Sequence, residues 1–359
     1  MKKQLLGTSA IALGIAMAAP ASAQEWDLGL GGYFNTHFGY VDGSGFAGDY
    51  DGSNIVTDGE IHFKPSVTLD NGLTFGATVE FEAQNGGGGS DGIDESYLTI
   101  SGDTLGQFII GSENSAGYKS MVGAPAVGSF AIMSASVSGF APINHAFRTA
   151  SGTPNTEVAG VNDVQRFTYF TPNFNGFVAG VSYAPSGDLN TQSGPVDYDG
   201  LGIRNIFDLG VNYSASLGTA DVTVGARWGT GEDNVNNADP ETWGIGAQVG
   251  FNGFTFGGHY AENKADLATG FGDEQGWSLG ATYDVAGPWS VGLTGFFGER
   301  DILGVDEEYN AYKLAGSREL GAGVSWDVWA VYAENKNYNG LAGTDVDATM
   351  IGSSINLSF

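Results

Sequence analysis

A serine spaced like a nucleophile, loop acids spaced like calcium ligands and bases on alternating residues are the features of this chain that could carry chemistry. Gly88-Gly89-Ser90-Asp91-Gly92 has the spacing of a nucleophile elbow, in which a serine on a strand-to-helix turn attacks an acyl carbon. It lies in a glycine run with no helical pattern after it, and the chain's four histidines offer no partner constellation, so a hydrolase is set aside. Residues 86–93, GGGGSDGI, match one turn of the calcium-binding nonapeptide repeat, which works only as stacked copies; no second copy is present. No P-loop, dinucleotide fingerprint or zincin motif occurs, and the absence of cysteine removes thiolate metal sites. Oxygen-rich loops in an exported protein suit Ca²⁺. Asp42, Asp49, Asp51 and Asp58 are candidate calcium ligands in the first polar link, and Asp301, Asp306, Glu307 and Glu308 in the seventh, with hydrated surface acids as the ordinary alternative. No other cofactor is expected.

These residues hang on a strongly alternating chain. In WDLGLGGYFNTHFGY, residues 26–40, one face carries Trp26, Leu28, Leu30, Phe34, Phe38 and Tyr40, and the other carries glycines and polar groups. The pattern recurs with Ile61, Phe63, Val67 and Leu69 opposing Glu60, His62, Lys64 and Thr68, and continues to Ile355, Leu357 and Phe359. Glycine at 59 residues and aromatics at 12% favour strands and turns over helices. Short turns such as Asn252-Gly253 alternate with long polar links at about 41–59, 84–92, 112–164, 184–203, 229–241, 262–275, 298–309 and 334–347. Seven turns and eight links would join 16 strands in hairpins.

Residues 1–23 read separately. Lys2 and Lys3, an apolar stretch from Leu5 to Ala19 and the Ala21-Ser22-Ala23 site make a cleavable secretory signal peptide, leaving 24–359 as one barrel domain. A formal charge of −28 excludes nucleic acid as a partner. Aromatic residues at the ends of apolar faces decide between a soluble sandwich and a barrel, because only lipid-facing strands place them at two headgroup levels. The expected fold is all-β, a transmembrane antiparallel barrel in which the apolar face meets lipid and the polar face lines water.

Residues 70–83 (DNGLTFGATVEFEA), 97–117 (YLTISGDTLGQFIIGSENSAG), 166–184 (RFTYFTPNFNGFVAGVSYA) and the terminal Phe359 resemble the general diffusion porins of Gram-negative outer membranes, most closely those of alphaproteobacteria. The resemblance implies a 16-stranded barrel, a homotrimer and a third long loop folded into the lumen. It implies a water-filled channel for ions and small hydrophilic solutes, not an enzyme. The expected surroundings are outer-membrane lipid and lipopolysaccharide, with Phe359, Leu357 and Ile355 read by the barrel-assembly machinery. Small residues on the lipid side, Gly32, Ala77, Ala179, Ala226 and Ala247, would suit packing between copies.

Inward folding would account for residues 120–147, which contain no Asp, Glu or Lys and no Arg, and for a link too long to be idle. Candidate constriction residues are the bases Lys64, Arg166 and Arg227 with Arg148 on the loop, His37 and His62 on neighbouring strands, and the acids Glu80, Glu82 and Glu113. The family's inward loop is acid-rich, whereas this one has no acid from Ser115 to Thr156, so the usual transverse field does not carry over. Rival functions are a substrate-specific channel, with Tyr97 and Phe170 as inward aromatics, and an adhesive or structural barrel anchor.

Overall fold

The computed structural model describes residues 24–85, 92–147, 149–150, 156–187, 202–233, 239–264 and 271–359. The signal-peptide expectation, the two glycine-run motifs over most of their length and Arg148 lie outside these residues. The first eight strands are β1 (Asp27–Ser44), β2 (Gly52–Thr68), β3 (Thr74–Asn85), β4 (Ile93–Gly102), β5 (Gly106–Ser112), β6 (Gln165–Phe170), β7 (Phe177–Ser186) and β8 (Ile203–Leu217). The second eight are β9 (Ala220–Asp233), β10 (Glu241–Phe251), β11 (Phe254–Lys264), β12 (Phe271–Asp284), β13 (Trp289–Ile302), β14 (Val305–Gly321), β15 (Val324–Lys336) and β16 (Val346–Ser358). Each pairs antiparallel with its sequence neighbours, and β1 pairs with β16, closing a 16-stranded barrel.

Closure satisfies every edge, the condition for backbone to cross an apolar medium as strands. At the seam, Gly32 and Phe359 exchange backbone hydrogen bonds of 2.9 and 3.1 Å. Phe359, Leu357, Ile355 and Ile351 all project outward. No helix among the described residues is long and apolar enough to cross a membrane. The outer face is apolar around the barrel, with Leu30, Phe38, Ile61, Leu98, Phe167, Leu209, Ile245, Leu279, Leu314 and Ile351 exposed. Near the short-turn rim, Phe177 opposes Tyr213, Phe251 opposes Phe254, and Phe254 opposes Tyr283. Nearer the other rim, Trp228 opposes Trp243, Tyr260 opposes Trp277, and Trp277 opposes Phe297. These two bands match the headgroup levels inferred from strand ends.

The two expected links that carry the candidate calcium ligands are mostly strand. The first connection spans only 45–51, so Asp42 and Asp58 sit inside β1 and β2. The seventh shrinks to Leu303-Gly304, both left-handed (φ 55° and 84°), a two-residue hairpin of the same hand as Asn252-Gly253. A leucine at the first turn position is unusual, and the flanking acids disguise continuous strand. Asp301 and Asp306 face each other across the β13–β14 ladder, and Arg300 faces Glu307.

Candidate channel constriction

Between the short strands β5 and β6, the described residues 113–147, 149–150 and 156–164 run along the inner wall and return. This segment carries α1 (Ala116–Ser120) and α2 (Ala135–Ser138). On its outward course Ala116 N–H donates to Ser182 on β7, Asn212 on β8 donates to the Ser120 carbonyl, and Gln248 on β10 to the Gly123 carbonyl. It continues past Thr294 on β13 and Lys313 on β14, which donate to the carbonyls of Pro125 and Phe130, and Asn54 on β2 donates to Gly139. On the return, Asn335 on β15 donates to Asn144, Arg300 on β13 to Ala146, and Arg227 on β9 to Thr156. Every one of these wall side chains lies on the face opposite the exposed apolar one, so the segment lies inside the barrel.

Two features of the wall let an uncharged segment lie flat. Glycines remove side chains where it passes: a Cβ at Gly225 would collide with the Ser120 carbonyl, and one at Gly246 with the Val122 carbonyl. Farther round, the segment buries Phe130, Ile132, Val137, Phe140, Ile143 and Phe147 against Phe296, Tyr309, Trp329, Val331 and Met350. Phe130 stacks on Trp329 with ring centroids 4.1 Å apart. The apolar character of 120–147 thus serves a core inside the lumen. Gly246→Val is expected to lower stability by about 1–3 kcal/mol through overpacking. The midpoint of heat-induced loss of the folded form in detergent reads this. Gly250→Ala on the same strand, where the nearest atom to a new Cβ is 3.7 Å away, is expected to leave that midpoint nearly in place.

The expected constriction charges divide into two groups. Arg166 and Arg227 do not face channel water; they are 4% and 6% exposed beneath the inward segment. Arg227 binds Asp208 at 2.6 Å and lies 3.6 Å from Glu157, and Arg166 lies 3.8 Å from the same Glu157 oxygen. Glu157 also accepts from Ser115 N–H at 2.6 Å, so one carboxylate joins the beginning of the segment to its end. Glu113 is likewise buried and bonded to Lys119 at 2.8 Å. His37 is fully buried, bonded to Ser354 at 2.7 Å and edge-on to Phe130. The ionised groups anchor the segment because a charge taken from water must be paired, and His37 meets it through the Phe130 ring.

Sequence reading missed two more anchors, Arg300 with Glu307 and the buried Lys313. The first was hidden in the supposed seventh link. Lys313 lies on the face that alternates with Tyr312 and Leu314, and that alternation is the signal that places it inside. At the root of the segment, burial, with Asp94 and Glu157 nearby, pushes the Asp163 carboxyl up to about 7. Burial lowers His145, which favours an uncharged ring.

The second group faces water. Glu60, His62 and Lys64 on β2 and Glu80 and Glu82 on β3 line the inner wall, each partly or fully exposed, while their neighbours Ile61, Phe63 and Phe81 point outward. His62 stands opposite Glu80, and Glu60 opposite Glu82. The four first-link aspartates do not converge. Asp49 and Asp51 accept N–H groups of Asp51 and Gly43, which shapes the turn, and Asp42 and Asp58 belong to strands. Of the inward aromatics, Phe170 packs against Gly180 and Ala116 under the segment, which leaves Tyr97 beside Thr78.

An edgeless barrel with an apolar exterior, a polar interior and a segment folded inside defines a membrane pore. The chain belongs to the Gram-negative porin family, whose model matches residues 7–340. It is an outer-membrane channel for passive diffusion of ions and small hydrophilic solutes. Among solved structures it is similar to the anion-selective porin from Comamonas acidovorans, at 19% identity and TM-score 0.63, over 93% of this chain and 100% of that one. It is also similar to OmpT of Vibrio cholerae in its trimer form, at 14% identity and TM-score 0.63, over 93% and 99%. The outer-membrane channel DcaP of Acinetobacter baumannii matches at 12% identity and TM-score 0.66, over 94% and 99%. No curated protein sequence matches it.

Proposed function

We propose that this porin is a general diffusion channel that prefers cations, assembled as a homotrimer. One observation carries the preference: the acids Glu60, Glu80 and Glu82 keep access to water, while Arg166 and Arg227 are buried and neutralised. Acids on the open wall concentrate cations, and salt screens them. The bases that would oppose them there are Lys64 and the partly exposed Lys119, the latter already paired with Glu113. Phe170 packs under the segment beside Gly180, and no run of aromatics among the described residues marks the wall for one solute class, which favours general diffusion over a substrate-specific channel. In planar bilayers under a KCl gradient, the reversal potential should show cation preference near 0.1 M salt and lose most of it near 1 M, where the screening length is about 3 Å. Anion preference at low salt would refute the reading.

The trimer draws support from the Vibrio cholerae relative in trimer form. The small residues Gly32 and Ala77 lie on β1 and β3, but Ala179, Ala226 and Ala247 lie on β7, β9 and β10, so the five do not form one interface. Native mass in detergent reads the assembly directly. Lipopolysaccharide around the outer rim and recognition of the Phe359 strand by assembly machinery belong to the same proposal.

A further inference from the structure

We propose that Glu60, His62 and Glu80 form a binding site for a divalent transition cation of the Zn²⁺ type on the channel wall, which tunes conduction when occupied. The site rests on the reading of this wall as the open channel. The His62 imidazole nitrogen Nε2 lies 2.7 Å from a Glu60 carboxylate oxygen and 3.6 Å from a Glu80 oxygen. One ligand atom from each residue lies within 4.8 Å of the other two. Tetrahedral zinc with bonds of about 2.0–2.1 Å needs ligand atoms about 3.3 Å apart, so small side-chain adjustments suffice.

Register makes the cluster. His62 and Glu80 are directly opposed across the β2–β3 ladder, and Glu60 is two residues from His62 on the same face. The ladder shifts register between Gly59 and Glu60, so Glu60 stands opposite Glu82. Tyr33, opposite Glu60 on β1, donates to the other Glu60 oxygen at 2.8 Å and orients the carboxylate, as outer partners of metal ligands do. The three side chains keep 14–16% exposure, enough for a cation to enter from channel water and retain a water ligand.

The donor set selects the ion. An imidazole nitrogen with two carboxylates suits Zn²⁺, Cu²⁺ or Ni²⁺, whereas Ca²⁺ and Mg²⁺ prefer oxygen alone. Glu60 also belongs to a second grouping with Glu82 and Asp94, which raises the local concentration of divalent cations of every kind. Only the first grouping contains nitrogen, so selectivity for zinc over magnesium belongs there.

Titration calorimetry on the mature, untagged protein in detergent should show Zn²⁺ binding at least tenfold tighter than Mg²⁺. His62→Ala should weaken Zn²⁺ binding at least tenfold while leaving Mg²⁺ binding within about twofold. A Cu²⁺ electron-resonance spectrum should show coupling to nitrogen in the parent and lose it in that variant. The other histidines are His37 and His259, both buried, and His145, bonded within the inward segment, so the signal reports His62. In bilayers, Zn²⁺ should reduce cation conductance more than Mg²⁺ at equal concentration. If Zn²⁺ binds no tighter than Mg²⁺, or equally well without His62, the site is refuted while the channel reading stands. If Zn²⁺ binds but no channel forms, the channel reading fails and the site survives. Should His62→Ala not fold, Glu80→Gln with the same copper spectrum must show altered ligation, and an unchanged spectrum overturns the proposal.

Discussion

Arg227→Ala is expected to loosen the inward segment from the wall and destabilise the protein by about 3–5 kcal/mol, the usual consequence of removing one partner of a buried ion pair. The guanidinium is 6% exposed, binds Asp208 at 2.6 Å and donates to the Thr156 carbonyl at 2.6 Å. Its loss leaves Asp208 without its cation and Glu157 with Arg166 alone, at 3.8 Å. Since Glu157 also holds Ser115, both roots of the segment weaken together. The folded band in heat-titrated detergent gels should disappear at a lower temperature, and protease should cut within 113–164 in intact vesicles. Asp208→Asn added to Arg227→Ala should recover part of the loss, because the greater cost is the abandoned charge rather than the missing contact. If the single variant melts with the parent and resists protease equally, Arg227 does not fasten the segment.

The same residue shows where sequence reading stopped. Strand alternation placed Arg227 on the inner face, because Ala226 and Trp228 flank it and Trp228 faces out. Periodicity fixes a face and says nothing of what lies over it, so an inward arginine read as a channel charge. Its partners come from elsewhere in the chain: Asp208 from the preceding strand β8 and Glu157 from the end of a long loop. For the same reason His37 and Glu113 read as constriction residues and proved buried, whereas Glu60, His62 and Glu80 lie where neighbouring strands alone decide the surroundings. Barrel closure was legible because each strand repeats one local rule, apolar outward and small or polar inward. The Leu303-Gly304 hairpin was not, because acids flank a turn whose leucine carries no turn signal. The glycines opposite Ser120 and Val122 were visible as composition, but their purpose needs the segment that lies on them.

Replacing Glu60, Glu80 and Glu82 together by Gln is expected to abolish the cation preference and carry the reversal potential toward the anion side. Each of the three residues keeps partial exposure on the inner face of β2 or β3, and Lys64 remains on the same wall. A unit charge about 6 Å from a passing ion contributes about 0.7 kcal/mol in water before screening. At 0.1 M salt, with a screening length of about 10 Å, roughly half of that remains, about twofold in the local concentration of either ion and, because the anion is repelled as the cation is attracted, about fourfold in their ratio per charge. Three charges therefore give about a 30- to 60-fold change in the K⁺ to Cl⁻ permeability ratio. Near 1 M salt the same variant should differ from the parent by no more than about threefold, because the screening length falls to about 3 Å. Gln keeps the shape and hydrogen-bonding capacity of Glu, so conductance at high salt should stay close to that of the parent, separating charge from pore size. Arg166→Ala and Arg227→Ala should shift selectivity far less than this triple variant wherever they fold, since both arginines are already neutralised under the segment. If the arginine variants move the reversal potential and the glutamate variant does not, the ion path runs along the other wall, and the division between anchoring and filtering charges is reversed.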